Sequence, residues 1–190
     1  MEALKVGDPS DLATDVGPVI DEAARKALDD HIEWLDKYAK KICRLKPPKE
    51  AANGCFVPPA FYEIQSLSQL NRENFGAILH VIRFAGDKLD QVVEDINATR
   101  YGLTLGLQSR IDTVRDYVEE HARVGNFYVN RNQIGAVVES QPFGGEGLSG
   151  TGPKAGGPHY VARFAIERVT CIDTTAAGGN ASLMASAQEG

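Results

Sequence analysis

Ile20, Ala24, Ala27, Leu28, Leu35, Ala39 and Ile42 recur at spacings of three, four and seven, with charged residues between them. That period follows one face of an α-helix, so the pattern predicts a long amphipathic helix over residues 21–42. Asp21 and Glu22 at its start and Lys40 and Lys41 at its end suit the helix dipole. Pro47-Pro48 and Asn53-Gly54 then punctuate a loop. Short apolar stretches follow at residues 55–57 and 60–64.

The pattern changes downstream. An apolar run at 77–84 predicts a strand, and residues 87–97 predict a helix with Leu89, Val92, Val93 and Ile96 on one face. A strand at 103–108, a helix at 111–123 facing inward through Ile111, Val114, Tyr117 and Val118, and a strand at 126–130 complete the alternation. Short links between such elements call for an α/β fold, a parallel sheet with helices on both faces. One more strand is expected at 166–173, then a loop at 174–180 and a fraying end at 188–190.

The glycine-dense segment from Gln141 to Gly157 follows the third of the alternating strands. Bare backbone N–H groups suit an anion or carboxylate cradle, whereas a flexible surface loop is the plainer reading. Ligands of open parallel sheets bind beyond the carboxyl ends of the strands, which favours the cradle. Within the segment, Gly145-Glu-Gly-Leu-Ser-Gly150 spells the dinucleotide fingerprint. No hydrophobic strand precedes it, Pro142 interrupts the approach, and Glu146 would face a pyrophosphate with negative charge. Lys154 lacks the spacing and the following hydroxyl residue of a P-loop. Both phosphate readings are rejected.

Composition narrows the classes. A chain of 190 residues with 43% hydrophobic content can bury one core, with or without an appendage. The net charge of −6 and a pI near 5.2 argue against a nucleic-acid surface. No apolar run approaches the roughly 20 residues that span a bilayer, and no signal-peptide core opens the sequence. Cys43, Cys55 and Cys171 are odd in number and widely spaced, as expected of reduced thiols in a cytoplasmic protein. His31, His80, His121 and His159 show no ligand spacing, so no metal site is expected. There is no G-x-S-x-G elbow, and no cysteine sits in a nucleophile's context. The motifs offer a binding loop and no catalytic residue.

Five ordered motifs carry a resemblance. They are Arg72-Glu-Asn-Phe-Gly-Ala-Ile78, Tyr101-Gly-Leu-Thr-Leu-Gly106, Gly125-Asn-Phe-Tyr-Val-Asn130, Pro142-Phe-Gly-Gly145 and Ser149-Gly150. Their order and spacing resemble the aldehyde dehydrogenase superfamily, as do Lys5-Val-Gly-Asp-Pro9 and Gly17-Pro-Val19. The run from Gly144 to Phe164 and the tail from Thr174 to Leu183 narrow the likeness. They resemble the 1-pyrroline-5-carboxylate (glutamate semialdehyde) dehydrogenase domain of bifunctional proline utilization A proteins.

The resemblance implies roles. Glu73 matches the carboxylate that accepts both hydroxyls of the nicotinamide ribose of NAD, and Phe75 the aromatic beside the nicotinamide. Gly156 and Gly157 match the amides that hold the substrate's carboxylate, and Phe164 an aromatic wall around its aliphatic part. Ala77 departs from the family, which usually has proline there. The family's nucleophilic cysteine, its glutamate base, its oxyanion asparagine and its dinucleotide-binding sheet all lie upstream of the matched region. The implied division is a catalytic-domain portion over 1–165 and a C-terminal oligomerisation strand and tail over 166–190. The expected parent oxidises glutamate semialdehyde to glutamate with NAD, beside a separate FAD-dependent proline dehydrogenase domain. The expected piece is inactive alone, forms a homo-oligomer through its C-terminal strand, and binds no nucleic acid. A different class remains open: an autonomous, non-catalytic oligomerisation or binding module.

Overall fold

Asp21 opens helix α1 (Glu22–Tyr38): its side chain accepts the Ala24 N–H at 2.7 Å, and Glu22 and Lys37 occupy the favourable ends of the dipole. The computed structural model describes residues 1–47, 54–134, 137 and 140–173. Pro48, Asn53 and the expected loop and fraying end beyond Thr174 lie outside the described residues. Within these bounds the chain forms two units, Met1–Gln133 with Gly145–Thr151, and Ile134–Gly144 with the described residues from Gly152 on.

Among the described residues, the first unit holds the α-helices and all the paired strands. Strand β1 (Lys40–Arg44) takes over where the sequence pattern continued the first helix. It pairs antiparallel with β2 (Ala60–Glu63), which pairs in parallel with β3 (Ile78–Val81). The helix ends at Tyr38 because Ala39 is already extended and residues 40–44 gain a ladder partner in β2. Ile42 therefore sits in a strand, and Ile20 lies before the cap, exposed. The core forms where α1 meets this sheet. Leu35, Ala60, Tyr62 and Ile64 make one buried cluster, and Leu28, Ile32 and Val57 make a second. Partly buried Ile78 packs against both.

Helix α2 (Leu89–Ala98), strand β4 (Tyr101–Gly102), strand β5 (Thr104–Leu107), helix α3 (Asp112–His121) and strand β6 (Asn126–Val129) follow in order. Strands β5 and β6 pair in parallel across the α3 crossover, as the alternation predicts. Asn97 ties the two helical segments together, donating to the His121 carbonyl at 2.9 Å and accepting the Arg123 N–H at 2.8 Å. The expected single parallel sheet requires correction. The described strands form three small sheets, one mixed, one parallel and one antiparallel, the last made by β4 and β7 (Glu146–Gly147). Four-residue strands give short ladders, and the glycine-dense segment returns to β4 instead of extending the parallel pair.

In the second unit, Phe143 and Ala155 exchange backbone hydrogen bonds at 3.0 and 2.9 Å, closing the loop between them. A short 3₁₀ turn, Val161–Phe164, follows. Residues 166–173 form no strand with any described part of the chain, although the sequence predicts one. Ile166, Val169 and Ile172 are exposed there, with no strand among the described residues to supply ladder partners.

Candidate functional site

The loop from Asn71 to Ala77 leads from a short 3₁₀ turn, Leu67–Gln69, to β3 and carries both residues matched to cofactor binding. A cavity of about 610 Å³ opens beside it, within the range of small-ligand sites. Arg72, Glu73 and Asn74 line the cavity from the loop, His80 from β3, Asp95 from α2 and Tyr101 from β4. The Glu73 backbone N–H donates to the Tyr101 hydroxyl at 3.3 Å. Phe75 does not line the cavity; the residue is 87% exposed and gives the loop an apolar surface. The loop sits on α1 through a close approach at Gly76, where a Cβ would stand 2.5 Å from Leu28 Cδ1.

A histidine pair reaches this region through His80, which lines the cavity. His31 of α1 stacks on Trp34 and meets His80 of β3, Nε2 to Nε2, at 2.9 Å. Burial is the largest cause holding both imidazoles below their usual pKa, and for His31 the neighbouring His80 and Arg72 act in the same direction. The sequence offered no sign of this pair, because 49 positions separate its members.

The matched substrate residues lie on the second unit. Gly156 adopts φ 71°, and the space a Cβ would occupy is open. Its N–H has no partner among the described residues, whereas the Gly157 N–H donates to the Lys154 carbonyl at 2.9 Å. Thus one of the two amides of the expected cradle is used in a turn. Phe164 is 77% exposed and packs edge-on against Tyr160, with ring centroids 5.5 Å apart. The structure therefore groups Glu73 with a cavity on one unit, and on the other places Gly156 and Gly157 at one turn and Phe164 in the 3₁₀ turn that follows. Among the described residues no group of three or more His, Cys, Asp or Glu could hold a metal ion. No helix of the described residues is long and apolar enough to cross a membrane.

These features belong to a mixed α/β dehydrogenase fold, and comparison with known proteins defines the class. The aldehyde dehydrogenase family profile matches residues 1–169, and the chain belongs to that family. Among curated proteins it is 47% identical, over 173 residues, to the bifunctional protein PutA of Klebsiella aerogenes. That match covers 88% of this chain and 13% of the relative. A solved structure of Bradyrhizobium japonicum proline utilization A superposes with a TM-score of 0.83 at 54% identity, covering 92% of this chain and 18% of that one. A Thermus 1-pyrroline-5-carboxylate dehydrogenase with bound NAD gives 0.75 at 33% identity, covering 86% and 31%. The chain thus spans a small share of the relatives' length, and its relatives are PutA and 1-pyrroline-5-carboxylate dehydrogenases.

Proposed function

We propose that this chain supplies the C-terminal portion of the catalytic domain of an NAD-dependent dehydrogenase that oxidises glutamate semialdehyde to glutamate in proline catabolism. The observation that carries the reading is Glu73 on the rim of a cavity large enough for a nucleoside, in a chain of this family. A carboxylate with two acceptor oxygens suits the vicinal diol of a ribose. NAD, when bound, accepts the hydride. This chain's own contribution is to hold: Glu73 would orient the ribose, and Phe75 would cover the nicotinamide with its exposed ring. On the second unit the Gly156 N–H would donate to the substrate's carboxylate, and Phe164 would face its methylenes. The Gly157 N–H joins the Gly156 N–H there only if its turn bond to Lys154 opens.

In this reading residues 1–165 form the catalytic-domain portion and 166–190 the oligomerisation segment, within a cytoplasmic homo-oligomeric parent that also carries an FAD-dependent proline dehydrogenase domain. Exposed Ile166, Val169 and Ile172 support a segment that pairs with a neighbouring subunit. Large apolar side chains exposed elsewhere, Leu12, Ile20 and Phe75 among them, support contact with further parts of a longer protein. The family's nucleophilic cysteine has no counterpart in this reading, so the 190-residue chain is inactive alone. An autonomous, non-catalytic module is not favoured by the family membership.

Replacing the homologous segment of Klebsiella PutA with residues 1–169 of this chain tests the proposal. Retained NADH formation from 1-pyrroline-5-carboxylate by the chimera is expected, with none from the isolated chain. A folded chimera without dehydrogenase activity, or an active isolated chain, would overturn it.

A further inference from the structure

The motif that spells a dinucleotide fingerprint has another use in the fold. Residues 145–150 run back along β4: Gly147 pairs with Tyr101, the Leu148 N–H donates to the Arg100 carbonyl at 2.8 Å, and the Gly102 N–H donates to Ser149 Oγ at 3.1 Å. A Cβ at Gly147, which adopts φ 62°, would collide with the Arg100 carbonyl oxygen. One at Gly145 would stand 2.7 Å from the Gly102 carbonyl oxygen, and one at Gly150 would strike the Gly145 carbonyl. All three glycines of the motif are therefore spent on backbone meeting backbone, none on a phosphate.

The strand held in this way presents Tyr101. Its ring lines the cavity beside Glu73, and its hydroxyl accepts the Glu73 N–H from 28 positions away. Among the described residues, this is the hydrogen bond that ties residues 71–75 to another element; the Asn74 amide bonds only within the loop, to the Arg72 carbonyl. The loop belongs to no helix or strand; its other anchors, Gly76 against Leu28 of α1 and the Ala77 carbonyl accepting the Ala60 N–H at 3.0 Å, lie at its β3 end and leave residues 71–75 to the phenol.

We infer that Tyr101 is a positioning residue for the nucleotide-binding loop, with the 145–150 glycine motif as the brace that holds it. The inference rests on the assignment of Glu73 to the ribose. The brace fixes β4, the phenol fixes the Glu73 backbone, and the carboxylate is thereby held toward the cavity without first having to be ordered by the ligand. The phenol itself touches no reacting atom.

The test follows the backbone amides of the ¹⁵N-labelled 190-residue chain, and titrates NAD into the Klebsiella PutA chimera carrying residues 1–169. The chimera is expected to bind NAD, and Glu73→Ala within it to weaken that binding. In Tyr101→Phe, the ligand-free Glu73 amide proton should move upfield as it loses its acceptor. Nucleotide affinity should weaken about three- to tenfold, the range for losing one neutral hydrogen bond. The Leu148 and Gly102 amides, which report the brace, should stay in place. An unmoved Glu73 amide or unchanged affinity in Tyr101→Phe overturns the inference, and so does a shift of Leu148 and Gly102 along with Glu73, which would make Tyr101 a general structural residue. Unchanged NAD affinity in the Glu73→Ala chimera sinks the ribose assignment and the positioning role with it, while the ligand-free amide shift still decides whether the tie exists.

Discussion

His31 and His80 meet nitrogen to nitrogen, 2.9 Å apart, with ring centroids separated by 5.1 Å. The centroid separation exceeds the nitrogen separation by about two ring radii, so the imidazoles face each other head-on and one N–H lies between them. A neutral pair can make that bond. A doubly protonated pair has two donors and no acceptor.

Stability should therefore fall in acid. Both folded-state pKa values lie below the usual 6.5, first because of burial, so the unfolded chain binds these protons more readily. The contribution is complete above about pH 6.5 and is lost as pH drops through the folded values. Urea midpoints measured at about pH 7.5 and about pH 5.5 should differ, with the lower pH less stable. The double variant His31→Phe, His80→Leu should flatten much of that dependence; an equally steep fall would remove the pair as its source.

Tyr62 is fully buried, and its hydroxyl donates to Asp36 Oδ1 at 2.8 Å. Burial, then that bond, pushes the phenol up to about 12. Asp36 is lowered chiefly by Lys41, whose Nζ lies 2.7 Å away. The raised phenol contributes stability that is complete below pH 10, the usual value, and lost as pH rises toward about 12. A spectrophotometric alkaline titration should show one tyrosine ionising well after the others, and Tyr62→Phe should abolish that late step at a cost of about 1 to 2 kcal/mol.

Gly76→Ala should force Leu28 out of its buried position, because the new methyl would stand 2.5 Å from Leu28 Cδ1. Overpacking of this kind costs about 1 to 3 kcal/mol. The urea midpoint reads it, and adding Leu28→Val should recover part of the loss by making room.

Gly147→Ala should be worse placed, since it combines a left-handed backbone with a collision against the Arg100 carbonyl. Strain of this type is worth about 1 to 3 kcal/mol. Loss of the Leu148 amide's hydrogen bond to Arg100, seen by amide exchange, is the expected local signature.

Much of the element order was legible because its signals are local. The 3.6-residue period located α1, α2 and α3, and apolar runs located β3, β5 and β6. Leu28 and Leu35 stood out as core positions, whereas Ile32, nearly fully buried, did not, because acidic neighbours surround it in sequence. The end of α1 was misplaced because Ala39 and Ile42 continue a helical stripe while the β2 ladder claims residues 40–44. Strands β4 and β7 are two residues each and defined only by each other, so no window of sequence announces them. Glu73 became readable through its neighbours in a family motif; the cavity beside it and the Tyr101 tie, assembled from separate elements, did not.

The same brace also bears on the order in which the chain assembles. Gly102 and Ser149 are 47 positions apart, so their junction closes a far larger loop than any helix turn. Entropy makes such a junction a late arrival, formed after more local pairs such as β5 with β6 across the α3 crossover. Substitutions at Gly147 or Ser149 should consequently hasten unfolding while leaving the refolding rate nearly untouched.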